Sequence, residues 1–311
     1  MLDRFVDRLD MNRKERSFPF GFRSSKLCNR SSKPEGAMDR LSTLLKHFNL
    51  HASTFHQGGF CGTTPVYGEH SFGHAHLLRS GRLTFRDKRG LPTELSEPSL
   101  ILAVRPQAHQ LLASEADDAQ VVCATLHFDG GANNPLTLAL PDFIIMPLRE
   151  LQGLDGTLDW LFAEAFGDEC GRDVILNRLF ELMVIQLLRH LMARRTIASG
   201  MMAGLAHAQL SRALVCIHDE PQRNWSVAEL ADRSGMSRAS FAAHFRETVG
   251  ITPADYLANW RISLTQKRLR EGRPIALIAD EVGYESPSAL ARTFRRKVGT
   301  SPKEWLLQNT P

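Results

Sequence analysis

The chain has 311 residues, 43% apolar and 23% charged. That balance belongs to a folded chain of about two domains and excludes a disordered or fibrous protein. A net charge of +4 names no partner by itself; where the charge sits matters more. No apolar run reaches the ~18 residues of a membrane-spanning helix. The charged start, MLDRFVDRLDMNRKER, has no apolar signal core. The expected location is therefore the cytoplasm, with no membrane partner. Cys28, Cys61, Cys123, Cys170 and Cys216 are widely spaced, with no CxxC pair. Free thiols in a reducing compartment are expected rather than a disulfide framework.

Residues 1–37 carry Ser, Arg and Lys clusters without periodicity and read as a disordered tail. A helix is expected from Met38, with Leu41, Leu44, Leu45 and Phe48 on one face. Over residues 50–149, strand-length apolar runs alternate with Gly and Pro: HAHLLRSGRLTFRD, LSEPSLILAVRP, HQLLAS and AQVVCATLHFDGG. This pattern predicts a β-barrel or sandwich. Helices follow over 157–195. In the second, Val174, Leu176, Leu179, Phe180, Met183, Leu187 and Leu191 recur at helical spacing. Two readings stay open for it: a helix packed on the barrel, or the seam of a homodimer. Residues 196–206, TIASGMMAGLA, are small and weakly patterned and read as a linker between a domain at 38–195 and one at 207–308.

The last hundred residues contain a repeat. VAELADRSGMS at 227–237 aligns with IALIADEVGYES at 275–286, and beyond it Phe245, Arg246, Val249, Gly250 and Pro253 recur as Phe294, Arg295, Val298, Gly299 and Pro302. Each copy predicts a short helix, a glycine turn, and a second helix capped by Ser237 or Ser286. Pro253 and Pro302 each open a further helix. Two short helices about a glycine turn make a helix-turn-helix unit. The helix expected from Ala254 to Leu269 would fix the separation of the two units. Arg292, Arg295, Arg296, Lys297 and Lys303 lie in a span, Ser286 to Lys303, that no acid interrupts; Lys267, Arg268, Arg270 and Arg273 form a second cluster. A basic stretch on a recognition helix is an electrostatic footprint for double-stranded DNA.

Residues 207–308 resemble the tandem helix-turn-helix domain of the AraC/XylS transcriptional regulators, through SVAELADRSGMSRASFAAHFRETVGITPADYLANWRI and IALIADEVGYESPSALARTFRRKVGTSPKEW. The resemblance implies two helices in successive major-groove segments. It places Arg238, Ala239, Ala242, Ala243 and Arg246 toward the groove from the first helix, with direct readout resting on Arg238, Ser240 or Arg246. From the second it places Pro287, Ser288, Ala291, Arg292 and Arg295 there. Arg292 is the foremost base reader, because a guanidinium can bind guanine O6 and N7 together. Arg296 and Lys297 are expected at phosphates. Residues 38–195 are similar to the cupin-like sensor domain of one subgroup, through HLLRSGRLTF, LILAVRPQAHQL and VVCATLHFDGGANNPL. The expected fold is therefore α+β and multidomain: a cupin-like barrel with flanking helices, then an all-α tandem helix-turn-helix domain. A small-molecule effector in the barrel and RNA polymerase are the further partners that this implies.

His74 and His76 share one strand face, and His109 can join them from a neighbouring strand. They are the candidate effector-pocket residues. The competing reading is a metal-dependent cupin enzyme with an accessory helical domain, since imidazoles suit Zn, Fe or Ni. No carboxylate follows His76 at the required spacing, and neither a GxSxG elbow nor a P-loop is present. No cofactor, metal or catalytic residue is therefore expected.

Overall fold

The computed structural model describes residues 38–65, 72–130 and 134–309. The expected tail, 1–37, lies outside the described residues. The chain enters through helix α1 (Ser42–His47), with Leu41, Leu44 and Phe48 buried. The strands follow as β1 (Leu50–Phe60), β2 (Gly62–Thr63), β3 (Gly73–Ser80), β4 (Leu83–Asp87), β5 (Pro92–Leu95), β6 (Ser99–Ala103), β7 (His109–Ala113) and β8 (Ala119–Phe128). The short helix α2 (Pro135–Leu138) precedes β9 (Ile144–Pro147).

The strands form two antiparallel sheets, β1-β8-β3-β6-β9 and β2-β7-β4-β5. The two strands of HLLRSGRLTF are present but do not pair with each other: β3 lies between β8 and β6, β4 between β7 and β5. The chain crosses between sheets at Gly81. The inner strands β3, β6 and β8 of the five-stranded sheet are buried on both faces, which explains their unbroken apolar runs. Val121 and Cys123 of β8 face the second sheet with Leu78, Ile101, Phe85 and Leu111. Their neighbours Val122, Ala124 and Leu126 face the opposite way, in the core shared with the helices.

Helices α3 (Asp155–Ala165) and α4 (Arg172–Arg194) cover that second face. Most of the α4 apolar stripe is spent there: Leu176, Leu179, Phe180, Met183, Leu187 and Leu191 are buried within the chain. Only Val174 and Leu182 remain exposed as large apolar residues on this helix. Part of the expected linker is also helical, as α5 (Met201–Ala206), with Met201, Met202 and Leu205 buried. Its small residues serve packing: a Cβ on Gly204 would lie 2.6 Å from Leu214 and 3.0 Å from Val249.

The repeat folds as α6 (Leu210–Asp219), α7 (Val227–Arg233), α8 (Arg238–Val249), α9 (Pro253–Arg270), α10 (Ile275–Glu281), α11 (Pro287–Val298) and α12 (Pro302–Asn309). Ser237 Oγ accepts from the Ser240 amide and Ser286 Oγ from the Ala289 amide, both at 3.2 Å. Each cap satisfies one of the orphan donors at a helix start. Phe241 and Phe245, or Leu290 and Phe294, are wholly buried at i and i+4.

The two units are locked together. Arg261 of α9 is buried, and it donates to the carbonyls of Pro221 (2.7 Å) and Arg223 (3.0 Å). The turn glycine of the second unit, Gly283 (φ +81°), leans on the same loop: a Cβ there would lie 2.3 Å from the Gln222 carbonyl oxygen. Its counterpart Gly235 (φ +63°) meets nothing closer than 3.9 Å. Gly235→Ala is therefore expected to cost only the left-handed backbone penalty, about 1–2 kcal/mol. Gly283→Ala adds a clash with backbone and is expected to cost more than about 3 kcal/mol. Urea unfolding of the two variants checks this, and equal losses would refute the lock between the units.

Candidate nucleic-acid interface and sensor core

The helix period places the expected DNA-reading residues. In α11 the buried pair Leu290 and Phe294 defines the inner face, and Ser288, Arg292, Arg295 and Arg296 project from the other, all exposed. The repeat maps these onto Ala239, Ala243, Arg246 and Glu247 of α8, also exposed. The outward faces thus differ in chemistry: three guanidiniums on α11, one guanidinium beside a carboxylate on α8. Arg238, at the exposed start of α8, adds a second cation to that helix. Ser240 is half-buried, within 3.3 Å of His244 Nδ1. That imidazole, which the sequence reading missed, lies 2.8 Å from the Ser240 carbonyl oxygen.

Among the described residues, no carboxylate forms an ion pair with Arg238, Arg246, Arg292 or Arg296. Arg295 approaches Glu304 only at 3.9 Å. Lys297 has an acidic neighbour. Three positions after Phe294, it points along the flank of the buried face, and its Nζ lies 2.9 Å from Asp255 at the start of α9. The lysine contact, with the Thr252 hydroxyl, holds the Asp255 carboxyl below its usual range. The second basic cluster is likewise spent inside the chain. Lys267 pairs with Asp129 (3.1 Å), Arg268 with Glu271 (2.9 Å), and Arg273 with Glu281. Arg270 lies over the Trp305 ring, 4.6 Å from its centroid.

The structure brings the three sensor histidines together. His74 and His76 stack with ring centroids 5.8 Å apart, and His109 stands edge-on to both. All three are buried between the sheets. His109 Nδ1 lies 2.7 Å from the Gln107 carbonyl, which only accepts, so this nitrogen carries the proton. His109 Nε2 is then the acceptor, and His76 Nε2–H donates to it at 2.9 Å. Burial, followed by the neighbouring imidazoles His109, His74 and His56, holds His76 well below the usual histidine range. His56 escaped the sequence reading because strand register brings it there: both His56 and His76 lie opposite Cys123.

His76 and His109 place their Nε2 atoms on each other, and among the described residues no group of three His, Cys, Asp or Glu is placed to hold a metal ion. A cavity of about 600 Å³ lies away from the trio, along β9 and residues 196–200. No helix among the described residues is long and apolar enough to cross a membrane.

With this geometry in place, the chain can be compared with known proteins. A cupin family model matches residues 39–193, and a helix-turn-helix domain model matches residues 230–308. The HTH-type transcriptional regulator AlkR of Acinetobacter baylyi is 31% identical over 210 residues, 66% of this chain and 69% of its own. A Streptomyces lividans protein described as an AraC-like transcription regulator is 35% identical over 197 residues, 62% of this chain. The match spans 65% of the length of that relative. The solved structure of ToxT from Vibrio cholerae aligns over 85% of this chain and 99% of its own, at 16% identity and a TM-score of 0.37. The chain belongs to the AraC-type helix-turn-helix transcriptional regulators, with a cupin-type amino-terminal domain.

The buried imidazoles set a pH dependence. Burial lowers His76 and His109, and it pushes His218 of α6 down to about 3. The unfolded chain takes up these protons near pH ~6.5, whereas the folded chain stays neutral. Stability from these groups is complete above that pH and falls as pH drops toward the folded values, by up to ~1.4 kcal/mol per pH unit for each proton. Urea midpoints are expected to fall between about pH 6.5 and pH 4.5, above the carboxylate range. His218→Gln should flatten the slope by about one proton. A flat profile in the unaltered chain would contradict neutral burial.

Proposed function

We propose that this chain is a sequence-specific, DNA-binding transcriptional regulator, with α8 and α11 entering adjacent major-groove segments of one duplex and a small-molecule effector acting on the amino-terminal domain. The observation that carries it is the outward face of α11: Ser288, Arg292, Arg295 and Arg296 in one exposed stripe, backed by buried Leu290 and Phe294. Arg292 reads a base, Arg295 faces the groove beside it, and Arg296 neutralises a phosphate. From α8, Arg238, Ser240 and Arg246 make the polar contacts, and Ala239 and Ala243 offer apolar contact to thymine methyls. Lys297 serves this surface through Asp255, setting α11 against α9.

The working division is a sensor at 38–195, a connection at 196–206 and a DNA-binding domain at 207–308. His74, His76 and His109 form the polar centre of the sensor. RNA polymerase is a further partner in this reading. A homodimer would use the remaining exposed apolar residues of α4, Val174 and Leu182, and the site of action is the cytoplasm. Nothing in this reading calls for catalysis.

Selection of bound sequences from random duplexes, followed by titration against salt, tests the proposal. A defined site and a steep salt slope are expected. Arg292→Ala should weaken the selected site by about 1–3 kcal/mol and relax one base position. Arg296→Ala should reduce the salt slope by about one and leave the preference intact. Recovery of no preferred sequence would reject the function, and an unchanged preference in Arg292→Ala would reject its role.

A further inference from the structure

The 600 Å³ cavity is lined by Phe143, Ile144, Ile145 and Met146, four residues in succession. Side chains of a strand alternate between faces, so a cavity touching all four runs along the strand edge. Among the described residues, β9 pairs with β6 alone. Its other edge therefore turns backbone N–H and C=O groups toward the cavity. The opposite wall is Leu191 and residues 196–200, and the end is closed by the segment 138–141. The volume falls within the range of small-molecule sites.

No lining residue carries a charge, and Thr196 and Ser199 supply the side-chain hydroxyls. A carboxylate or phosphate placed here would lose water without gaining a counter-charge, which is costly. A neutral, mainly apolar molecule with one or two uncharged hydrogen-bonding groups fits the lining.

Both walls lead to residues already described. On the sensor side, the Phe143 ring lies 5.6 Å from His109 and 5.0 Å from Phe85. On the other side, the Gly200 amide donates to the Thr248 carbonyl, in the last turn of α8, at 2.9 Å. Gly200 also precedes α5, whose Gly204 packs against Val249 of α8.

We propose that the cleft between the free edge of β9 and residues 196–200 is the effector site, taking a neutral apolar small molecule and passing its occupancy to α8 through Gly200 and Thr248. The regulatory half rests on the DNA-binding reading above; the binding half does not.

The test uses the full chain and the neutral fluorescent probe N-phenyl-1-naphthylamine, displaced by 1-decanol or by decanoate. Saturable probe binding is expected, with decanoate at least about tenfold weaker than 1-decanol as a competitor. Ala198 and Ser199 are exposed, so Ala198→Trp and Ser199→Trp should fill the cleft without disturbing the core. Each should weaken the probe by at least about tenfold at an unchanged thermal midpoint. Saturating 1-decanol should change affinity for the selected duplex by about fivefold or more in the unaltered chain and leave Ala198→Trp unaffected. Absent probe binding, or binding that both variants retain, overturns the site. Equal competition by decanoate overturns the ligand class. Probe affinity that falls as protein concentration rises means that a second copy fills the cleft, and it overturns the small-molecule occupant. Duplex affinity indifferent to 1-decanol overturns the coupling. Probe binding lost in both variants, in a chain that selects no duplex, supports the site while rejecting the DNA-binding reading.

Discussion

The arrangement depends on the packing of Trp260. This side chain sits midway along α9, the helix that separates the two helix-turn-helix units, and is almost wholly buried. Its ring meets Phe48 at 5.4 Å and His47 at 5.8 Å, both from the end of α1, and His218 of α6 at 4.3 Å. One aromatic side chain therefore joins the first helix of the sensor to α6 and to α9, the helix between the two units. Burying an indole among rings contributes several kcal/mol by area and contact geometry, more than a surface ion pair supplies. The polar contacts around it fix orientation. Lys267, two turns further along α9, reaches Asp129 and the His47 carbonyl, and His218 lies 2.6 Å from the Tyr256 hydroxyl. The helix that spaces the two readers cannot shift without disturbing the sensor.

The same packing decides which cations are available to a partner. Counted along the sequence, the clusters at 267–273 and 292–297 are alike. In the fold they part company. Lys267, Arg268 and Arg273 face Asp129, Glu271 and Glu281 across α9 and its neighbours. The guanidiniums of Arg292 and Arg296 stand on the free side of α11. The two readers are also chemically unequal, because the repeat places Ala243 and Glu247 where α11 has Arg292 and Arg296. A carboxylate facing a phosphate backbone is repulsive, although it can accept from cytosine N4. In the proposed complex most of the electrostatic attraction therefore belongs to α11, and α8 acts by shape and a few polar contacts.

What was legible in the sequence follows from the range of the interactions. Helix caps, turn glycines and buried i, i+4 pairs are local, so Ser237, Ser286, Gly250 and Phe294 announce the repeat and its boundaries directly. Strand neighbours are not local. HLLRSGRLTF reads as two adjoining strands, yet each finds its partners elsewhere, and His56 joins the histidine group only through register with Cys123. The partner of Lys297, Asp255, is 42 residues away in sequence, so its charge looked free. Residues 196–206 read as a linker, whereas Gly204 within them is required by the close approach of α5 to α6 and α8. The cleft had no sequence signal, because it is made by the unpaired side of β9 and a segment beyond α4.

Two of the connections from sensor to reader differ in kind. The one through Trp260 is a buried aromatic contact flanked by polar ones, and it behaves as an anchor. The one through residues 196–200 is slight: a single backbone hydrogen bond to Thr248 and the seating of α5. A hydrogen bond of this sort is worth about 1 kcal/mol net. Allosteric couplings are typically about 1–3 kcal/mol, so a ligand that strengthens or breaks this contact has enough leverage, provided that it binds the two arrangements unequally. The anchor lets so small a difference act: with α9 fixed on α1, movement of α5 cannot be absorbed by drift of the whole DNA-binding domain and falls on α8. Because α8 contributes little charge, such a shift alters the fit of the first reader while the electrostatic hold of α11 persists. An effector at β9 would then change which duplex is preferred more than whether a duplex is held.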